Sequence, residues 1–194
     1  TSLAAYGQTE IHATPQLDIV LGARITKDHK TGRLVSGRAP NLLTGGIFDY
    51  KKTKPNFLLG LNYKPNSDIL LYAKYSTAFV SGGSVSGLDF PPETATSWEG
   101  GIKADLLDNR LRTNLSLFSV TYKNFQTAQS GTNFRALFPQ PQFPLGFADI
   151  VGTIVIPQGG PVKAKGFEFE ATAAPADGLT FGSSLSYTDT KFRS

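Results

Sequence analysis

The chain has 194 residues, no cysteine, two histidines and a formal net charge of +4, with 40% hydrophobic residues and a mean hydropathy of −0.15. The lack of cysteine excludes a disulfide framework or thiolate metal site, and so small a charge argues against a nucleic-acid partner, which needs a broad basic face with base-stacking aromatics. Apolar runs such as Phe57-Leu58-Leu59 and residues 150–156 fall far short of the roughly 18 residues of a spanning helix, while a slightly negative hydropathy fits a transmembrane β-barrel as well as a soluble domain, because alternate side chains of a barrel wall face a polar lumen.

The chain opens on Ser2-Leu3-Ala4-Ala5-Tyr6, already strand-like, with no basic stretch leading into an apolar run. No signal peptide is recognisable there, so the chain is expected to be a processed or incomplete piece of a longer precursor. Residues 3–12 form the least clear strand, closed by a turn at Thr14-Pro15-Gln16. From 17 to 25 the pattern sharpens: Leu17, Ile19, Leu21, Ala23 and Ile25 alternate with Asp18, Gly22 and Arg24, one face apolar and one polar. Residues 27–54 read as a long loop. Its cluster of Lys51, Lys52 and Lys54 suits solvent or contact with anionic lipopolysaccharide.

The next strand sets Phe57, Leu59, Leu61 and Tyr63 against Asn56, Gly60, Asn62 and Lys64. A turn at Pro65-Asn66-Ser67-Asp68 leads to Ile69, Leu71, Ala73, Tyr75 and Phe79 against Lys74 and Ser76, and a second long loop spans 80–93. Trp98, Gly100, Ile102, Ala104 and Leu106 then oppose Glu99, Lys103 and Asp105, before a turn at Asp108-Asn109. In the strand from 110 to 126, Leu111, Thr113, Leu115 and Leu117 share one face, but Phe118, Val120 and Tyr122 fall on the other. That change of face predicts a bulge near Leu117 and Phe118. A third long loop covers 126–162. Phe167, Phe169 and Ala171 then oppose Glu168 and Glu170, and after Pro175-Ala176-Asp177-Gly178 the last strand sets Leu179, Phe181, Ser183, Leu185 and Tyr187 against Thr180, Gly182, Ser184 and Ser186.

Every short turn therefore falls at one end of the strands and every long loop at the other, which is the layout of an outer-membrane wall. The expected fold is all-β: an antiparallel transmembrane β-barrel segment of about eight strands, with short periplasmic turns and long extracellular loops. A Lys or Arg on the lipid side at the bilayer midplane costs about 2–4 kcal/mol, so Arg24, Lys74, Glu99, Lys103, Glu168 and Glu170 are expected to face the lumen. Glu93 and Glu99 read as partners of Lys74 or Lys103, and Tyr63, Phe79, Trp98, Phe167, Phe181 and Tyr187 as interfacial girdles. His12 and His29 stand apart and read as surface residues; no metal-ligand spacing and no cofactor motif occurs.

Particular strings add to this pattern. The run from Leu70-Leu71-Tyr72-Ala73-Lys74-Tyr75 through Ser81-Gly82-Gly83, then Pro92-Glu93-Thr94-Ala95-Thr96-Ser97-Trp98-Glu99-Gly100-Gly101-Ile102-Lys103, resembles the barrel of TonB-dependent receptors. So do Leu107-Asp108-Asn109-Arg110-Leu111, Tyr122-Lys123-Asn124-Phe125-Gln126, Lys165-Gly166-Phe167-Glu168-Phe169-Glu170, and the tail from Ala174-Pro175 to Thr188-Asp189, in the family's order. The resemblance implies a barrel of about 22 strands around a plug, of which residues 1–194 are an interior section of the barrel domain. Plug, energy-coupling box and closing strand are not recognisable.

What the resemblance implies is an outer-membrane receptor for active uptake of a scarce solute, above all an iron–siderophore complex. Its partners would be outer-membrane lipid and lipopolysaccharide, the small-molecule chelate, and an inner-membrane TonB complex acting through the plug. Within this section the place to look for ligand contacts is the 126–162 loop, where Phe134, Arg135, Phe138, Phe143 and Phe147 sit among prolines and suit an anionic, aromatic-bearing chelate. The competing reading is a loop folded on its own apolar side chains. The alternative for the whole chain is a small self-closed eight-stranded barrel with a passive or structural role. An enzyme is not expected: Glu168 and Glu170 share a face, but no Ser or His lies in a catalytic spacing and no nucleophile elbow or phosphate loop occurs.

Overall fold

The computed structural model of the chain describes residues 1–33, 47–85, 88–130, 153–157 and 161–192. Eight long strands form one meandering antiparallel sheet: β1 (Ser2–Thr14), β2 (Leu17–Arg33), β3 (Ile47–Tyr63), β4 (Ile69–Val80), β7 (Glu93–Leu106), β8 (Leu111–Lys123), β11 (Val162–Ala176) and β12 (Leu179–Phe192). Two small hairpins stand apart from it, β5 (Gly83–Val85) with β6 (Leu88–Phe90), and β9 (Gln126–Ser130) with β10 (Thr153–Pro157). The sheet order runs β1-β2-β3-β4-β7-β8-β11-β12, and among the described residues β1 does not pair with β12. The wall is open at both ends, which removes the self-closed small barrel as a description of these strands.

The turn rim is built by side chains that satisfy the backbone locally. Thr14 Oγ1 accepts from the amides of Gln16 and Leu17 at 3.2 and 3.0 Å, and Asn66 Oδ1 accepts from Asp68 at 3.0 Å. Leu107, Asp108 and Asn109 take left-handed φ values of 55–65°, and Gly178 takes +77°. Neighbouring hairpins are then tied across the rim by backbone bonds, Lys64 N to Gln16 O at 2.7 Å, Asp105 N to Asp68 O at 2.8 Å and Ala174 N to Arg110 O at 2.7 Å.

At the other rim the strands outrun their sequence expectation. Of the stretch read as a loop from 27 to 54, residues 27–33 and 47–54 form a two-stranded arm, with β2 and β3 paired from Leu17 with Tyr63 out to Arg33 with Ile47. β3 leaves β4 beyond Leu58 and Ser76. Phe57 sends its amide toward β4, to Thr77 Oγ1 at 2.9 Å, so Pro55, two residues back, places its missing N–H on that same side, where the β3–β4 ladder has ended.

No bulge occurs at Leu117 and Phe118. β8 keeps continuous register with both β7 and β11, and the irregularities sit instead at the turn rim, between His12 and Thr14 and between Ala173 and Ala176. Phe118 therefore faces the polar side by design: it stands opposite Glu99 and Gly166, and the ring occupies the space that a side chain at 166 would need. The change of face in the sequence came from an aromatic packed over a glycine, not from a slip of register.

Among the described residues Ala104 and Val162 are buried, whereas Leu59, Leu61, Leu117, Leu185, Trp98 and Tyr187 are exposed. Water cannot sustain such a distribution over so large a sheet. One face is made for hydrocarbon and the other for a wet interior.

Candidate functional site

Cross-strand partners share a face, so the register sorts the side chains. Leu21 stands opposite Leu59, Leu59 opposite Tyr75, and Tyr75 opposite Trp98, while Leu71 stands opposite Ile102 and Ile102 opposite Leu115. One residue out of step, Arg24 faces Asn56, Lys74 faces Glu99, Lys103 faces Asn114, Glu168 faces Ser116 and Glu170 faces Asn114. The six charged residues singled out in the sequence thus lie on the face opposite Leu21, Leu71 and Ile102.

Several of them form one strip. Lys74 Nζ meets Glu99 Oε2 at 2.7 Å, Tyr72 donates its hydroxyl to Glu99 Oε1 at 2.9 Å, and Lys103 Nζ lies 6.0 Å from the Tyr72 ring centroid. The pair is partly exposed, 40% for Lys74 and 27% for Glu99, so it contributes about 0–1 kcal/mol to stability. Its consequence is local neutrality on the inner face. Beside it, Glu168 and Glu170 border a recess of about 180 Å³; Glu170 accepts from Asn114 Nδ2 at 3.4 Å, and Glu168 has no ion pair among the described residues. Arg24 donates to Thr26 Oγ1 at 3.1 Å and lies 6.0 Å from the Tyr6 ring.

The bases of the outer excursions are bound to one another. Lys30 Nζ donates to Gly82 O at 2.9 Å and lies 5.7 Å from the Tyr50 ring, and Gly82 N donates to the Tyr50 hydroxyl at 3.2 Å, which docks the β2–β3 arm on the segment after β4. Gln126 donates its amide to Glu93 at 2.9 Å and its side chain to Pro91 O at 3.2 Å; Asn124 donates to Pro92 O at 3.2 Å. Glu93 therefore anchors a loop base instead of pairing with a lysine. Phe125 packs edge-on against Tyr122 and Phe192, with centroids 5.9 and 6.5 Å apart. These contacts tie the described ends of the strands together at the outer rim.

Phe134, Arg135, Phe138, Phe143 and Phe147 lie outside the described residues. The two histidines are not solitary: His12 Nδ1 is 2.6 Å from Asp18, and His29 Nε2 is 2.7 Å from Asp49. Glu10, His12 and Asp18 bring ligand atoms within 4.8 Å of one another, a grouping that needs the β1–β2 register to be seen, although Lys64 already holds the second Asp18 oxygen at 3.2 Å. The lysine cluster at 51, 52 and 54 divides between faces, since Lys52 and Lys54 stand opposite Asp28 and Thr26 and Lys51 opposite His29. Lys51 is also held by Asp49 at 2.7 Å, and it keeps that carboxyl below its ordinary pKa against the opposing cost of burial, with His29 adding a lesser lowering.

Comparison with known proteins extends the picture. A family model described as TonB dependent receptor-like, beta-barrel, matches residues 1–194. The metal-pseudopaline receptor CntO of Pseudomonas aeruginosa is 36% identical over 72 residues, 36% of this chain and 10% of that protein, and the ferric-pyoverdine M114 receptor PbuA of Pseudomonas sp. is 25% identical over 196 residues, 96% of this chain and 21% of that protein. This chain thus spans about a tenth to a fifth of the length of these relatives. Among solved structures, the ferric yersiniabactin uptake receptor FyuA of Yersinia pestis superposes with a TM-score of 0.74 at 18% identity, over 99% of this chain and 27% of that one, a likeness of fold.

Proposed function

The chain belongs to the TonB-dependent receptor β-barrel family, and from that premise we propose that the intact protein actively imports an iron–siderophore complex across the outer membrane. The observation that supports this reading is the division of the wall: one face carries Leu61, Leu117 and Leu185 and the other Lys74, Glu99, Lys103, Glu168 and Glu170, a pairing suited to hydrocarbon on the first and water on the second. A wall of this kind needs closing strands at the free edges of β1 and β12, because unpaired edge groups in lipid cost several kcal/mol each. The charged inner face then meets whatever fills the barrel.

Support for the substrate comes from relatives named for pyoverdine and pseudopaline complexes. The part of this section that contacts the chelate is the 126–162 stretch, whose Arg135 and neighbouring aromatics have the chemistry to grip an anionic ligand. Transport draws on an inner-membrane TonB complex acting on a plug, no bond in the substrate is made or broken, and the outer band of the wall contacts lipopolysaccharide. Growth of a deletion strain on single ferric siderophores tests the proposal. Loss of growth on one chelate, restored by the gene, is the expected result; unchanged uptake of every chelate would overturn it.

A further inference from the structure

Four lysines that no functional reading has used converge on the apolar face near its outer margin. Lys163 of β11 stands directly opposite Lys191 of β12, and Lys165 stands opposite Asp189. Lys163 also stands opposite Thr121 of β8, which puts Lys123, two residues on, at the diagonal position of the same face. Direct partners have Cβ atoms about 4.5–5.5 Å apart and diagonal ones about 7–8 Å, and like charges placed opposite are destabilising. The arrangement therefore calls for an anion. Asp189 is the one carboxylate within the patch among the described residues, and it sits 3.3 Å from Lys191. Lys123, Lys163 and Lys165 have no ion pair among the described residues.

What lies beside the patch identifies the kind of anion. Two residues nearer the turn rim than Lys165 and Asp189, on the same face, Phe167 and Tyr187 stack with centroids 6.1 Å apart, flanked by Leu117 opposite Phe167. Tyr187 is 58% exposed and Leu117 59%. A partner that fits must put negative charge against the lysines and hydrocarbon against the aromatic and aliphatic belt immediately below. A free phosphate supplies only the first of these.

We propose that Lys123, Lys163, Lys165 and Lys191 form a binding site for the phosphorylated headgroup of an outer-leaflet glycolipid, whose acyl chains lie along Phe167, Tyr187 and Leu117. The inference rests on the outer-membrane placement of the wall and gives its lipid contact a location. It moves that contact away from Lys51, Lys52 and Lys54, whose side chains are divided between the two faces.

The test uses the intact receptor in detergent micelles and measures binding of bis-phosphorylated lipid A, its phosphate-free counterpart and inorganic pyrophosphate. Each lysine near an anionic surface contributes roughly a fivefold factor, so the triple variant K163Q/K165Q/K191Q is expected to weaken binding of phosphorylated lipid A on the order of a hundredfold, while K51Q/K52Q leaves it unchanged. Retention of the folded, heat-modifiable gel band shows that the variant still forms a barrel; if the triple variant loses that band, K165Q alone and its roughly fivefold loss decide. Equal binding by a folded variant, equal binding of phosphate-free lipid A, or displacement by pyrophosphate as effective as by lipid would overturn the site. Absence of a heat-modifiable band in the unaltered receptor would instead overturn the barrel reading beneath it.

Discussion

Replacing Gly166 with alanine tests how this wall handles the aromatic side chain it turns inward. A Cβ at 166 would run into the carbonyl oxygen of Tyr187 on β12 and come within 2.9 Å of Phe118 Cζ on β8. The ring is the tip of a movable side chain and can swing away. The carbonyl cannot, because β11 and β12 are locked in continuous register from Val162 with Phe192 to Ala173 with Phe181. Overpacking costs about 1–3 kcal/mol and a distorted ladder bond about 1 kcal/mol more, so Gly166→Ala should lose roughly 2–4 kcal/mol. The assay is the urea midpoint of the intact protein folded in lipid vesicles, read by heat-modifiable mobility. Repeating it in a Phe118→Ala background separates the two contacts: the penalty should shrink by the ring's share and stay above about 1 kcal/mol, the carbonyl's share. A loss under about 0.5 kcal/mol, or complete rescue by Phe118→Ala, would refute the reasoning.

Leu61→Arg, on the apolar face two residues from the girdle position Tyr63, should cost about 1–2 kcal/mol in the same unfolding assay, between the midplane and interface penalties, whereas Asn62→Arg, one residue on and facing inward, should cost under about 0.5 kcal/mol. Gly178, at φ +77° with nothing within 4 Å of a Cβ, should lose about 1–2 kcal/mol as alanine through backbone strain alone, while Gly182→Ala, equally open and not left-handed, should lose none. Asp49, in the outer arm, has its carboxyl held below the ordinary 3.8 first by Lys51 and then by His29. Its contribution to the arm is therefore present above that ordinary value and disappears as pH falls through the lower folded one. Carboxyl NMR of labelled Asp49 should show the depressed titration, and Lys51→Ala should return it toward 3.8.

Face and rim were legible in the sequence because both have local causes. Period-two alternation in stretches such as 57–63 assigns each side chain to a face whatever its neighbours, and turn chemistry at Thr14, Asn66, Asn109 and Gly178 marks the short rim. The length of the β2–β3 arm was hidden, since Lys27 to Arg33 carry no apolar alternation: an arm clear of the bilayer has no lipid face to encode. Phe118 misled for a related reason. Polarity alone cannot distinguish an inward aromatic seated on a glycine of the next strand from a shift of register, and Gly166 lies 48 positions away in number and adjacent only in the sheet. The meeting of His12 with Asp18, of Glu93 with Gln126, and of Lys163 with Lys191 is likewise a product of pairing.

The division of the wall can be read directly, because this section has no cysteine of its own. Single cysteines carrying a spin label at Leu59, Leu61, Leu117 and Leu185, and at Asn62, Ser76, Ser116 and Ser186, would be examined in the intact protein in lipid. The first four should be relaxed by dissolved oxygen and the second four by a water-soluble nickel chelate, alternating residue by residue at 61 and 62 and at 116 and 117. Uniform accessibility along β3 and β8, or the opposite alternation, would contradict a wall with lipid on its leucine face and water on its charged one.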